Sequence, residues 1–437
     1  MSIKDTFCTS PWIHMRIAHN GQYQFCRWQK TAEPPYDFST NIKNVTPDAF
    51  WNHHMREIRE SMLKGESVSQ CSQCHRMEKH GMPSGRQKQL LKCGIQLDNF
   101  ERTVQSSPIY DNLIKSNDRQ GSTAMKPIDW QIDTGNYCNG GCIFCSPYWS
   151  SSLAKEFKQN GLIDELPMKS WADDPALVDR LVTSLEKTEH LHYLHFLGGE
   201  TVITPAFKII LKRLVQAEIS SRVTVGFTTN LMMWDKKIIK LLSKFKHVIV
   251  NCSIECINPL NDYLRYPSKL DSVMNTLESW RIMARRYQWD IKIRATVSNI
   301  SVFHLDTLYD YCFKNKLTVE CCHFLEYPEH MQISTLPQKY RQIALKKLKA
   351  FVNKHDKKQV NVAKINIQNQ ATVEQQIISD CISYINYLES EPDRSELLPK
   401  LTDYLMTLEK NPRRGSILEY IPEYEELLRD NGYTPQP

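Results

Sequence analysis

Three closely spaced cysteines, Cys138, Cys142 and Cys145, are the residues best suited by type and spacing to do chemistry. Two adjacent glycines between the first two let the backbone turn tightly, so the three thiols can meet at one metal centre. An iron-sulfur cube held by three thiolates keeps one iron without a protein ligand, and an open coordination position distinguishes a catalytic metal site from a structural one. On spacing alone, a zinc site or a chance grouping is the alternative interpretation.

Four more cysteines, Cys8, Cys26, Cys71 and Cys74, stand in the first part of the chain, two around a predicted hairpin and two as a C-x2-C pair. Four thiolates can saturate either a tetrahedral zinc ion or an iron-sulfur cube, and spacing does not distinguish these metals. His75 is an alternative ligand, although an ordinary surface histidine is the expectation. The other seven cysteines lie mostly in apolar stretches and are predicted to be buried core residues.

The composition places these cysteines in a globular chain. The 437 residues are 41% hydrophobic and 24% charged, which excludes disordered, collagen-like and membrane classes and predicts two or three domains. No apolar run approaches the roughly 18 residues of a membrane-spanning helix, and the start lacks the apolar segment of a secretory signal. We therefore expect a cytoplasmic protein without a membrane partner, whose thiols stay reduced. The net charge of +6 permits an anionic partner without requiring one.

The elements that must position the three cysteines are a series of βα units. Strands are predicted at 128–133, 191–197, 223–229, 248–255, 291–297 and 317–325, and helices at 150–160, 174–187, 205–217, 235–244, 270–286 and 303–315. Alternation of this kind indicates a parallel sheet covered by helices. Six repeats predict an α/β fold of the partial (β/α)6 TIM-like barrel type, because a closed barrel needs eight. Chemistry in such folds lies at the carboxyl ends of the strands.

The barrel is predicted to lie between two smaller parts. Residues 1–80 are predicted to form a small domain that contains a hairpin with its turn at Asn20-Gly21, a dipeptide typical of such turns, and a helix up to Gly65. Residues 81–126 are predicted to be a connector and residues 127–330 the barrel. Residues 331–437 are predicted to be a helical C-terminal appendage.

The segment around the three cysteines resembles the hallmark of the radical S-adenosylmethionine (radical SAM) enzymes. That hallmark is C-x3-C-x2-C with an aromatic residue before the last cysteine, and the aromatic residue here is Phe144. The resemblance implies that Cys138, Cys142 and Cys145 hold a [4Fe-4S] cluster with an open iron. It also implies that S-adenosylmethionine (SAM) binds at this iron.

Further segments resemble the SAM-binding motifs of the family and follow in the same order. They are Gly198-Gly199-Glu200, Thr229-Asn230, Ser253 with Glu255, and Arg265 in a Tyr-x-Arg segment. The resemblance implies that Glu200 holds the methionyl ammonium, that Ser253 and Glu255 contact the ribose, and that Arg265 pairs with the methionyl carboxylate. The sequence departs from the family at Leu231, where the family has glycine, and at Glu255, where it has aspartate.

The N-terminal cysteines resemble the twitch or SPASM extension of radical SAM enzymes. The features that carry this resemblance are Cys8-Thr-Ser-Pro-Trp12, the Asn20-Gly21 turn and the later C-x2-C pair. Because only four candidate ligands are present, the resemblance implies one auxiliary [4Fe-4S] cluster, which is the twitch form. The extension usually follows the barrel and here precedes it.

The resemblance implies reductive cleavage of SAM to a 5'-deoxyadenosyl radical that abstracts hydrogen from a substrate, with electrons from a donor such as flavodoxin or ferredoxin. A peptide or protein side chain is the first substrate hypothesis, because proteins with this extension often modify peptides. A nucleotide, nucleic acid or sugar derivative is the alternative, and only a basic helix near 341–358 favours it. A non-catalytic iron-sulfur or zinc-binding module is the remaining hypothesis.

Overall fold

The structure is a computed structural model that describes residues 3–27, 29, 38–79, 84–118, 120–321, 325–356 and 371–435. Its centre is one eight-stranded sheet in the order β2-β1-β3-β4-β5-β6-β7-β8. The strands are β1 His14–Ile17, β2 Tyr23–Gln24, β3 Asp129–Asp133, β4 Tyr193–Leu197, β5 Thr224–Thr229, β6 His247–Ser253, β7 Asp290–Arg294 and β8 Thr318–Glu320. Strands β3 to β8 are parallel neighbours in chain order. The predicted α/β partial barrel is therefore confirmed.

Side-chain alternation gives the barrel sheet an apolar outer face. Ile132, Phe196, Phe227 and Val250 are paired in one row across four strands, and all four are fully buried. The ring of Phe207, on a covering helix, lies 4.9 Å from Phe196 and 5.5 Å from Phe227. Successive side chains of a strand point to opposite faces, so the alternate residues face the interior of the barrel.

Helices connect the strands of the barrel. They are Ser151–Gln159, Pro175–Glu186, Pro205–Gln216, Lys236–Leu242, Leu260–Leu264, Leu270–Tyr287 and Leu305–Asn315. The six predicted helices are confirmed with ends shifted by no more than two residues. Asp174 explains one of these starts, because its carboxylate caps the backbone N–H of Ala176 at 2.9 Å while Pro175 begins the first turn. The predicted strand at 317–325 is shorter than expected, and positions 322–324 lie outside the described residues.

The N-terminal hairpin is confirmed, and it joins the barrel. Strand β1 is antiparallel to β2 but parallel to β3, with His14 opposite Asp129 and Ile17 opposite Ile132. The part of the chain predicted as a small domain therefore shares its sheet with the barrel. The hairpin's first predicted residues, Trp12 and Ile13, are in a short helix instead.

Short helices fill the rest of the N-terminal part and the predicted connector. They are Ile3–Thr6, Ser10–Ile13, Pro47–Ala49, Met55–Leu63, Ser72–Lys79, Gly85–Lys92, Phe100–Gln105 and Tyr110–Asp118. A π-helical turn, Phe50–His54, joins the third and fourth of these into one helix. The connector is thus more regular than its weak periodicity predicted.

The C-terminal part is helical, as predicted. Its helices are Gln338–His355, Val373–Ser390, Leu398–Glu409 and Glu425–Asp430. The first packs on the last barrel helix, where the ring of Phe351 lies 5.6 Å from Tyr309. In the described part of the chain, no helix combines the length and apolar character needed to cross a membrane.

Candidate functional site

The three-cysteine loop leaves the carboxyl end of β3 and is held together by its own hydrogen bonds. The N–H of Gly140 donates to the Sγ of Cys138 at 3.3 Å, and the N–H of Cys145 donates to the carbonyl of Cys142 at 3.0 Å. Ser150 donates its hydroxyl to the carbonyl of Gly140 at 2.5 Å. These contacts place the three thiols close enough for a charge on Cys138 or Cys142 to act on Cys145.

The three thiols are buried in a way that favours protonation without a metal. Burial raises the pKa of Cys138 to about 12, and it raises the pKa values of Cys142 and Cys145 as well. A metal that displaces these protons would supply the missing positive charge. Among the described residues, no three His, Cys, Asp or Glu side chains converge on a single-ion site. A cluster with a separate iron for each thiolate needs no such convergence on one ion.

The Gly-Gly-Glu segment lies directly against the start of the cysteine loop. The N–H of Gly199 donates to the carbonyl of Gly135 at 2.8 Å, and the N–H of Glu200 donates to the carbonyl of Tyr137 at 2.9 Å. A Cβ at position 199 would lie 2.4 Å from the oxygen of Tyr137, and one at Gly198, where φ is +146°, would lie 2.7 Å from the oxygen of Gly135. Both glycines are therefore required by this close approach.

Glu200 is buried beside the end of β5. Its Oε2 accepts the N–H of Asn230 at 2.6 Å, and its Oε1 accepts the N–H of Val202 at 3.2 Å. Burial raises the pKa of Glu200 to about 7, although these N–H donors oppose the rise. The side chain of Asn230 donates to Asn139 of the cysteine loop at 2.8 Å. The structure thus brings Glu200, Asn230 and the cysteine loop together.

The turn after β5 contains Leu231, which stands where the motif that this segment resembles has glycine. Leu231 has φ of +62°, a left-handed conformation that glycine adopts most easily. Thr229 stabilises the turn, because its hydroxyl accepts the N–H of Leu231 at 3.2 Å. The backbone therefore keeps a conformation that suits glycine.

Glu255 and Arg265 bind each other beside the cysteine loop. The Nη2 of Arg265 donates to Glu255 at 2.7 Å, and its Nε pairs with the second carboxylate oxygen. The Nη1 of the same guanidinium lies 3.6 Å from the Sγ of Cys142, and the guanidinium lies 5.4 Å from the ring centre of Phe144. Ser253 is the last residue of β6, lies two positions before Glu255 in the chain and is also buried. The sequence predicts that Glu255 and Arg265 both contact SAM. In this structure their opposite charges neutralise each other.

The four N-terminal cysteines also lie near one another. Charges on Cys8, Cys26 and Cys74 would all act on Cys71, and burial raises the pKa of Cys71 above its usual range. The backbone N–H groups of Gly85 and Arg86 are near enough to the sulfur of Cys74 to oppose the rise of its pKa by burial. The Nε2 of His75 is buried with no hydrogen-bond partner within the described part of the chain.

Sequence reasoning missed residues of the C-terminal part that reach the cysteine loop. Tyr404 and Arg414 contact its backbone, and Tyr404 with His330 also lines a cavity of about 290 Å³ beside Cys145. A tyrosine and an arginine in a segment without a recognisable motif carry no signal of such a role. Only the fold brings them to the loop.

Comparison with known proteins gives one match to a family and several to structures. Residues 132–304 match the model of the Radical SAM superfamily. Streptococcus suis SuiB bound to S-adenosylmethionine is 18% identical over 72% of this chain and 64% of that chain, with a TM-score of 0.37. Native anSMEcpe with bound AdoMet is 19% identical over 53% of this chain and 62% of that chain, with a TM-score of 0.38. This chain thus spans less than two thirds of the length of either of these proteins. The comparison with curated proteins gives no match.

Proposed function

Residues 132–304 match the Radical SAM superfamily, and on this premise we propose that the chain is an enzyme that cleaves SAM reductively to modify a peptide or protein side chain. The observation that carries the proposal is the contact between the cysteine loop and the Gly-Gly-Glu segment. Hydrogen bonds from Gly199 and Glu200 to the loop would hold the cluster ligands and the SAM-binding carboxylate in a fixed relation.

The donor set fits a [4Fe-4S] cluster with one open iron. Cys138, Cys142 and Cys145 would be its ligands, and they offer three thiols rather than the four of a closed site. A Cβ at Gly140 would lie 3.1 Å from Met232 and 3.7 Å from the Sγ of Cys142, so the absence of a side chain keeps space beside the sulfur. When bound, the cluster and SAM supply the electron transfer and the radical that removes a hydrogen atom from the substrate.

The protein's own contribution is to bind and orient SAM. The Glu200 carboxylate, fixed by two backbone N–H donors, would bind the methionyl ammonium. Arg265 would bind the methionyl carboxylate, for which a planar guanidinium is well shaped, and Ser253 and Glu255 would face the ribose. Thr229 and Asn230 would shape the turn between these groups. Because these polar groups are largely buried, they act where water is excluded.

We further propose one auxiliary [4Fe-4S] cluster on Cys8, Cys26, Cys71 and Cys74. The proximity of the other three thiols to Cys71 supports it, and so do the backbone N–H groups of Gly85 and Arg86, which oppose the rise of the pKa of Cys74, because such groups stabilise a thiolate. Four ligands would saturate this cluster, which favours a role in electron transfer over substrate binding. The resemblance of this set to the twitch extension is the basis for a peptide or protein substrate.

The basic C-terminal helix gives little support to a nucleic-acid substrate. Lys349 pairs with Glu389 at 2.6 Å, and Lys354 pairs with Asp310 at 3.0 Å. Neighbouring acids therefore neutralise part of the face that would meet phosphates. We place the enzyme in the cytoplasm, where thiols stay reduced and a flavodoxin or ferredoxin can supply electrons.

The test of the catalytic proposal begins with anaerobic purification and reconstitution. About eight irons per chain, four for each cluster, and release of 5'-deoxyadenosine after reduction with SAM are the expected results. Cys142→Ala should abolish the release and keep the auxiliary iron. One or two zinc ions without SAM cleavage would instead identify a structural module.

The substrate requires a separate experiment. Candidate peptides, nucleotides and oligonucleotides are incubated with the reconstituted enzyme and SAM, and mass spectrometry follows each. A mass change in peptides alone supports the proposal, whereas a change confined to nucleotides or oligonucleotides would contradict it. The Cys142→Ala protein is the control that separates SAM-dependent changes from background.

A further inference from the structure

The C-terminal part of the chain holds the backbone of the cysteine loop. Tyr404 donates its hydroxyl to the carbonyl of Ile143 at 2.7 Å, and the Nη2 of Arg414 donates to the carbonyl of Gly141 at 3.1 Å. Both carbonyls lie between the first and last of the three cysteines. The Arg414 side chain is 0% exposed, so these contacts are shielded from water.

Arg414 connects the loop to two other parts of the site. Its Nη2 pairs with Glu156 at 2.8 Å on the helix that follows the loop. Its Nη1 donates to the carbonyl of Tyr263 at 3.3 Å, and its guanidinium lies 4.7 Å from the ring centre of Tyr266. Arg265, which lies beside Cys142, is in this same segment. One buried guanidinium thus joins three pieces of chain around the proposed cluster.

The loop and the segment that Arg414 contacts also bind each other. The N–H of Gly141 donates to the carbonyl of Tyr266 at 2.6 Å, and the N–H of Ile143 donates to the carbonyl of Leu264 at 3.0 Å. The carbonyls of the same two loop residues accept from the C-terminal part. Every backbone polar group of Gly141 and Ile143 is therefore used, which fixes the path of the loop through Cys142.

The C-terminal element is itself fixed by a buried acid. Glu409, at the end of the helix Leu398–Glu409, accepts the hydroxyls of Tyr263 at 2.7 Å and Tyr433 at 2.6 Å. It also accepts the N–H of Ile417 at 2.8 Å. These bonds close the turn that carries Arg414 and attach it to the barrel, so Arg414 approaches the loop from a rigid support.

We propose that Tyr404 and Arg414 are positioning residues for the cluster: the C-terminal part fixes the three-cysteine loop and holds the Arg414–Glu156 ion pair beside Gly141. This inference rests on the proposed function, because it takes the loop to be the cluster site. Arg414 is paired with Glu156 beside the loop, so loss of the guanidinium would leave that carboxylate uncompensated, disfavour the reduced, more negative form of the cluster and lower its potential. The C-terminal part would then be a wall of the active site rather than an appendage.

The test compares Arg414→Gln, Arg414→Lys and Tyr404→Phe with the full wild-type chain. Arg429→Gln is the matched control, because Arg429 lies in the same C-terminal part and pairs with Glu425 at the surface. Hydrogen exchange of residues 138–145 is measured without iron. We expect exchange about tenfold faster in Arg414→Gln and slightly faster in Tyr404→Phe, with no change in the control.

The second readout is the midpoint potential of the proposed cluster on the three-cysteine loop. Its EPR signal is identified as the one that the Cys142→Ala protein lacks. Arg414→Gln should lower it, and Arg414→Lys should restore the potential through its charge but not the slow exchange, because lysine lacks the planar fork. Wild-type exchange and potential in Arg414→Gln would overturn the inference. If Arg414→Gln does not fold, the test rests on Tyr404→Phe. Wild-type exchange of residues 138–145 in that variant would then overturn the inference. Failure of the wild-type loop to bind iron would instead refute the proposed function, whatever the exchange shows.

Discussion

The Nη1 of Arg265 lies 3.6 Å from the Sγ of Cys142, while the rest of the same guanidinium binds both oxygens of Glu255. The positive charge beside the proposed cluster ligand is thus shared with a buried carboxylate. Because both charges are close to the sulfur and shielded from solvent, each should influence the reduction potential of the cluster.

Glu255→Gln should raise the midpoint potential of the cluster, because it leaves Arg265 uncompensated beside Cys142. The expected shift is on the order of 100 mV, the effect of one unit charge at roughly 7 Å with an effective dielectric constant of about 20. Arg265→Gln should shift it less, because an unpaired buried Glu255 takes up a proton. An EPR-monitored redox titration measures both variants.

Glu278→Gln is the control for this pair of variants, because Glu278 is 47% exposed and pairs with arginines of its own helix. Its potential should equal that of the wild type. A Glu255→Gln potential that is equal to or below the wild-type value would show that the pair does not act on the cluster.

Cys74→Ser should remove the auxiliary cluster, and with it about four irons per chain, while SAM cleavage is retained in part. Cys93→Ser is the matched control, since Cys93 is buried at the end of the neighbouring helix Gly85–Lys92 and is predicted to be a core residue. Iron and sulfide content after reconstitution measures the difference. Equal iron in the two variants would exclude Cys74 as a ligand.

His75→Ala separates the two ligand hypotheses for this site. Full iron content in this variant is expected, because four thiolates saturate the cluster. Loss of iron equal to that of Cys74→Ser would identify His75 as a ligand, which its buried Nε2 without a partner among the described residues would allow.

SAM affinity should depend on pH through Glu200. Burial raises the pKa of this carboxyl to about 7, so protonation below pH 7 removes the negative charge that would hold the ammonium. The Kd should increase about tenfold for each pH unit below 7 and level off above it. Equilibrium dialysis with SAM between pH 5.5 and 7.5 measures the slope, and Glu200→Gln should bind weakly with no slope in this range. A wild-type Kd that is constant over this range would refute the role of Glu200.

The barrel was predictable because its signal is local. Phe196, Phe227 and Val250 each lie in a short run rich in β-forming residues, and capping residues such as Asp174 mark where helices begin. The cysteine loop was predictable for a similar reason, because its ligands lie within eight residues of one another.

The contacts between distant segments were not predictable. Strand β1 pairs with β3 across more than a hundred residues, and no periodic pattern records which strands become neighbours. Tyr404 and Arg414 reach the cysteine loop only through the packing of the C-terminal helices. The pairing of Glu255 with Arg265 was also missed, because each residue was considered against SAM rather than against the other.

The attachment of the hairpin to the barrel depends on a buried ion pair and gives the last prediction. The Nη2 and Nε of Arg16 on β1 lie 2.7 Å and 3.1 Å from the same Asp133 oxygen at the end of β3, and the two side chains are 8% and 0% exposed. Arg16→Met would leave the Asp133 carboxylate buried without its cation, which costs about 3–5 kcal/mol. The double variant Arg16→Met/Asp133→Leu should lose less stability than the sum of the single variants, since it leaves no unpaired charge. Urea unfolding measures the stability of the wild type, the two single variants and the double variant. Arg281→Met is the control: it breaks a partly exposed pair and should cost less than about 1 kcal/mol. Additive losses in the double variant would show that Arg16 and Asp133 do not stabilise the junction as a pair.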